Sequence, residues 1–164
     1  MSTKHKAVFE SKIKRQSKLD ILQMARINLD KYPFVKYEMP KDNILKVLKL
    51  GEKGFEIEML IQPKETIIYF DNIHWHFKNT AKDIKELFIL FTFGIMGLIR
   101  LKKIFKNGEE FDCDAEYIRS DNTFPSDEIS ELKKFKKADK VTVVYLENDY
   151  FYYKDLYEKQ TKDV

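Results

Sequence analysis

A chain of 164 residues, 43% hydrophobic and 14% aromatic, carries enough apolar material for one domain with its own core, which excludes disorder as the general expectation. Thirty basic against twenty-seven acidic side chains leave a net charge of +3, too balanced to point to nucleic acid. The single cysteine, Cys113, excludes an internal disulfide and a cysteine-rich zinc site, and fits a reducing, cytoplasmic location.

Residues 1–16 set Lys4, Lys6, Lys12, Lys14 and Arg15 against Glu10 alone, with no apolar run of the signal-peptide kind. Such a segment can serve as an arm for phosphates or acidic surfaces, and is more simply a frayed, solvated terminus. Ser17 with Asp20 has the form of a capping box, and Ile21, Leu22, Met24, Ala25 and Leu29 then recur at helical spacing, so a helix is expected from about Lys18 to Asp30, ended by Pro33.

From there the period changes to two. Val35 to Met39, Ile44 to Leu50 and Phe55 to Ile61 alternate apolar with polar residues around the turn Gly51–Gly54, as in an antiparallel meander with one wet side. Thr66 to Phe77 reads as one long strand or as a hairpin turning at Asp71-Asn72; the single strand is preferred because Asn-Gly, not Asp-Asn, is the strong hairpin signal.

Asn79 or Thr80 is then placed to cap a long helix whose centre is Leu87 to Leu101, LFILFTFGIMGLIRL, interrupted only by Thr92 and Arg100. At about 1.5 Å rise per residue this stretch falls well short of the roughly 30 Å hydrocarbon core, so a buried helix is expected and no membrane span. Lys102, Lys103 and Lys106 suit its last turn, and Asn107-Gly108 its end. Apolar on every side, it needs the sheet on one side and the first helix or a second subunit on the other; a side left bare would itself be a binding site.

Glu109 to Ile118 alternates again, with Phe111, Cys113, Ala115 and Tyr117 opposite Asp112, Asp114 and Glu116. A loop over 120–125 leads to a short helix over 127–138, begun by Ser126 and closed by Lys133, Lys134, Lys136 and Lys137, then to a strand over 141–146, a turn at Glu147-Asn148-Asp149, a strand Tyr150 to Lys154 and a polar tail over 155–164. The expected fold is a single α+β domain over 1–164. A mainly antiparallel sheet of about six strands packs on a long buried helix, with an N-terminal helix and a short third helix.

Three constellations could carry chemistry. His74 and His76 share one side of a strand and make half of a metal site, or are structural histidines on its wetter side. Asp112, Asp114 and Glu116 form a row that could bind a cation, do acid–base work, meet a basic partner, or simply face water. The two rows would form one metal site if their strands were neighbours. Tyr150, Tyr152, Tyr153 and Tyr157, with Phe151, offer rings suited to a partner interface. Cys113 is flanked by acids, which disfavours a thiolate nucleophile.

No phosphate loop, GxSxG elbow or HExxH helix is present, and five glycines leave little loop for cradling a cofactor, so none is expected. The functional expectation is a small protein that binds another protein, as an immunity-protein or antitoxin-like inhibitor does. The alternative is an enzyme, or a small-ligand or metal binder, with its site near His74, His76 and the acidic row. A homodimer through the Leu87–Leu101 helix or the C-terminal aromatics is compatible with either. Nucleic-acid binding would require the Lys12–Lys18 and Lys133–Lys137 segments to share a surface, and is not expected.

Overall fold

Five strands in succession, β1 (Tyr37–Lys41), β2 (Ile44–Val47), β3 (Ile57–Ile61), β4 (Glu65–Phe70) and β5 (Ile73–Lys78), pair antiparallel in that order. The structure, a computed structural model, describes residues 21–125 and 140–162. A helix over 21–29, α1, precedes the sheet, and α2 (Ala81–Ile95) follows it. A second antiparallel sheet places β6 (Ile99–Lys106) between β7 (Glu109–Tyr117) and β8 (Val141–Glu147), and α3 (Tyr150–Lys162) closes the described chain. The architecture is the expected α+β one, with eight strands in two sheets among the described residues where one sheet of about six was expected. The basic arm, the Ser17–Asp20 cap, the helix over 127–138 and its lysines all lie outside the described residues.

Alternation does in β2 and β3 what their sequences require. Leu45, Val47, Ile57, Met59 and Ile61 are buried, while Lys46 turns outward and its ammonium meets Glu56 at 2.7 Å. Burying each such aliphatic side chain contributes about 1.5–3 kcal/mol. Helix α1 adds Ile21, Leu22, Ala25 and Leu29 to the same core, most of the face its spacing marked, while Met24 of that set is exposed. Helix α2 begins at Thr80, whose hydroxyl accepts from Asp83 N at 3.2 Å, and lays Leu87, Phe91 and Gly94 on the core. At Gly94 a β-carbon would stand 2.6 Å from the Phe70 ring and 2.9 Å from Ile57, so only glycine admits sheet and helix this close.

The stretch Leu87 to Leu101 is not one helix. It is the second half of α2, a turn, and the first residues of β6. The helix stops because Gly97 takes φ +69 and Leu98 N donates to Phe93 O at 3.0 Å, a glycine-based helix end. Ile99 and Leu101 are still buried, now as inward residues of a central strand. Lys102 and Lys103 therefore sit in mid-strand and mostly out of water, not in a last helical turn.

Two further expectations change. Residues 66–77 form a hairpin, with Phe70 opposite Ile73 and Asp71 at φ +52 in the two-residue turn. Asp accepts that left-handed geometry more readily than most residues. The same turn ties the two sheets together. The Asp71 carboxylate takes the Lys103 ammonium, which also donates to Glu110 at 3.0 Å, and Asn72 donates to the other Glu110 oxygen at 3.0 Å. Tyr150 to Lys154 is the start of a helix, not a strand, and 155–162 continue it where a tail was expected. Asp149 starts α3, its carboxylate accepting from Tyr152 N at 3.4 Å, and Tyr150 is buried against the Phe34 ring, 5.2 Å between centroids.

Two predictions test these junctions. Alanine at Gly97 must adopt the left-handed geometry and also push on the Asn148 carbonyl, whereas alanine at Gly108, φ +89, meets nothing within 4 Å. Thermal melts should show Gly97→Ala losing at least about 5 °C, and Gly108→Ala losing clearly less. The second concerns pH. Hydrogen bonds from Asn72 and then Lys103 hold the Glu110 carboxyl below its ordinary value. Its contribution is therefore complete above that ordinary value and is lost as pH falls through the lowered one. In melts, Glu110→Gln should be less stable than the parent at about pH 7, and the gap should narrow towards about pH 3.

Candidate functional site

Strand β5 is an edge strand, and it sorts its residues as the sequence implied. Ile73, Trp75 and Phe77 pack on the core while His74 and His76 face outward, exposed. Both imidazoles have neighbours of their own. His76 Nδ1 lies 3.0 Å from Glu65 Oε2, and the His74 ring packs 5.3 Å from the Tyr69 ring directly across the hairpin and 5.2 Å from His76.

The acidic row lies on β7, the edge of the other sheet. Its members do different things. Asp112 and Asp114 are exposed, each accepting from the backbone N–H of the next residue at 2.9 Å. Glu116 is buried, and accepts from Arg100 Nε at 2.7 Å with the Lys102 ammonium 3.8 Å from its other oxygen. Arg100 is held in turn by the rings of Tyr145 and Phe124, 4.1 and 4.6 Å away, and donates to Pro125 O at 2.8 Å. Glu116 is thus the counter-ion of a stacked guanidinium.

The histidine pair and the acidic row do not come together. Their sheets are joined at the Asp71-Asn72 turn, by Lys103 and Glu110, residues of neither row. Among the described residues, no three His, Cys, Asp or Glu side chains are grouped so as to hold a metal ion. Cys113 points inward, and burial, aided by the charges of Glu110, Asp71 and Asp112, pushes its thiol up to about 11 against the pull of Lys103. A thiol so placed is protonated and unreactive at neutral pH.

The tyrosines are dispersed by the helix that carries them. Tyr150 goes into the core, Tyr153 lies half-buried against Gly51, and Tyr152 (58% exposed) and Tyr157 face water with Phe151. Tyr157 also approaches the Phe34 ring, at 6.0 Å.

An uncovered apolar feature lies elsewhere, between α1 and α2. A groove of about 470 Å³ runs there, walled by Met24 on one side and by Ile84, Phe88, Ile89 and Phe93 on the other, with Lys85 at its edge. Phe88, Ile89 and Phe93 belong to the apolar stretch Leu87 to Leu101, and Met24 was expected on the apolar side of the first helix. What the sequence did not reveal is that α1 would bury Leu22, Ala25 and Leu29 and leave the groove bare. Among the described residues, no helix is long and apolar enough to cross a membrane. Comparison of the chain with protein-family models, with curated proteins and with solved structures returned no match.

If Glu116 serves Arg100 as described, removing the guanidinium leaves a buried carboxylate with only the Lys102 ammonium, 3.8 Å away, as its counter-charge. Arg100→Met should lose about 2–4 kcal/mol in denaturant titration, and adding Glu116→Gln should lose less than the sum of the two single changes.

Proposed function

We propose that the protein works by binding another protein, whose amphipathic helix lies along the groove between α1 and α2. The observation that supports this is the bare apolar row on α2. Ile89 is 47% exposed and Phe93 36% exposed, with Met24 at 47% across the groove. Ile84 with Phe88, and Ile89 with Phe93, lie four residues apart and form two ridges on one helical surface. Ridges so spaced accept the apolar side of another helix.

Charge narrows the partner. Lys85 lines the groove and makes no ion pair among the described residues, whereas its neighbour Lys82 is matched by Glu86 at 3.9 Å. An incoming helix with an acidic residue beside its apolar side would answer Lys85. A small protein that occupies a partner's helix in this way would act as an inhibitor of the immunity or antitoxin type. The alternative, an enzyme or metal site around His74, His76 and the acidic row, has no assembled residue set behind it among those described.

The test uses Ile89→Asp and Phe93→Asp. Both positions are solvent-facing, so the melting temperature should change little. Binding to a partner captured by a photo-crosslinking residue at position 81, which also lines the groove, should weaken more than about tenfold, since each buried anchor contributes about 1.5–3 kcal/mol. Equal binding by parent and variants would overturn the proposal. Sedimentation gives the other contrary result: a dimer of the parent that Ile89→Asp converts to monomer would make the occupant a second copy of this chain.

A further inference from the structure

Two of the chain's three histidines stand together on the outer side of the β4–β5 hairpin, apart from the acidic row. His74 and His76 lie opposite Tyr69 and Ile67, and their ring centroids are 5.2 Å apart with the planes at 68°. That spacing has a chemical meaning. Two imidazoles bound to one tetrahedral ion, at metal–nitrogen distances of about 2.0–2.1 Å, have their centroids about 5 Å apart. Both side chains are exposed, so rotation of the rings about χ2 brings one nitrogen of each to a common point without moving the strand.

The pair is also oriented. His76 Nδ1 lies 3.0 Å from Glu65 Oε2, the carboxylate–imidazole contact that fixes the tautomer of a metal-binding histidine and leaves Nε2 for the ion. Glu65 reaches it diagonally from β4, two residues before Ile67. His74 rests its ring on Tyr69, 5.3 Å away, and neither of its ring nitrogens has a hydrogen-bond partner among the described residues. The fold does not need this arrangement: Ile73, Trp75 and Phe77 do the packing of β5, and an exposed His–Glu contact contributes little to stability. Charge on this side of the sheet is mixed. Glu65 and Glu58 stand against Lys78, while Lys46 is taken by Glu56 at 2.7 Å, so the surroundings are not net cationic.

We infer that His74 and His76 chelate one divalent ion of the imidazole-preferring kind, zinc, nickel or copper(II), with Glu65 orienting His76 from behind. Imidazole suits these ions, whereas magnesium and calcium seek oxygen. Among the described residues no third His, Cys, Asp or Glu side chain joins the pair as a ligand, so the remaining coordination positions are open to water. Such a site binds less tightly than a closed structural one and exchanges its outer ligands. The inference is independent of the groove between α1 and α2: either can fail while the other stands.

The test is a titration of the untagged 164-residue chain with zinc chloride, followed by calorimetry and by the imidazole resonances, in a non-chelating buffer at about pH 7.5. Zinc should bind one ion per chain with a Kd below about 100 µM and shift the rings of His74 and His76, and magnesium chloride should do neither. His74→Asn and His76→Asn should each weaken zinc binding at least about tenfold, and Glu65→Gln about threefold to tenfold. All three variants should melt as the parent does without zinc, since neither histidine contributes to the core. His5→Asn, which removes the third histidine, should bind as the parent does. Zinc binding that does not saturate below about 1 mM, that persists undiminished in either variant of the pair, or that His5→Asn abolishes would overturn the inference. Parent-like affinity in Glu65→Gln would overturn the orienting role given to Glu65.

Discussion

The side-chain amide of Asn148 is the joint on which this fold closes. It is buried, its oxygen accepts from Leu50 N and Phe55 N, and its nitrogen donates to Gly94 O at 3.1 Å. Those groups belong to the turn before β3 and to the last turn of α2, and Asn148 itself follows β8. One amide therefore satisfies a loop and a helix end, each of which leaves backbone groups without internal partners. Aspartate would keep the acceptors but lose the donor and bury a charge. Leucine would strand three backbone groups, at about 1–3 kcal/mol each. The surrounding glycines follow from this. A β-carbon on Gly54 would stand 2.6 Å from the Asn148 oxygen, and one on Gly97 would press on its backbone carbonyl.

Once α2 ends at Gly97, the next residues must leave in another direction, and they do so as the middle strand of the second sheet. That placement puts a lysine, Lys103, between the sheets. Burial works against its charge, but hydrogen bonds to Asp71 and Glu110 outweigh it and hold its pKa above the ordinary value. The hairpin turn at Asp71-Asn72 has the composition this requires, a carboxylate and an amide that reach across to β6 and β7. Asn148 at one place and Lys103 at another thus bind the sheets around a shared core.

These joints explain which parts of the fold could be read in advance. Strands β2 and β3, the buried side of α1 and the Thr80 cap follow from local period and local hydrogen bonding, which a sequence displays. The division of Leu87 to Leu101 does not, because a buried helix and a buried central strand are both continuous apolar runs. Of the two glycines in that stretch, Gly94 serves close packing and Gly97 ends the helix. Tyr150 to Lys154 has strand-forming composition, yet the Asp149 cap and the burial of Tyr150 prevail over it. For the acidic row, alternation correctly put Glu116 beside Asp112 and Asp114. It could not show that Arg100, assigned to the helix, would become the cross-strand neighbour that claims Glu116.

The same distinction separates residues that build the fold from those that do not. Helix α2 has one side closed so tightly by Phe70 and Ile57 that position 94 admits no side chain. On its opposite side Lys82, Lys85 and Glu86 are what solvent alone would favour, and Ile89 and Phe93 among them add nothing to the core. Such residues lose little on exposure singly, but here they align with Met24 into a continuous groove. The cleft edged by Glu52, Glu147 and Asp149 is a polar counterpart, with Lys53 also on its rim. Neither feature is needed to hold the sheets together, since Asn148 and Lys103 do that from within. The physical case for function therefore rests on surfaces whose composition the stability of the fold leaves unexplained.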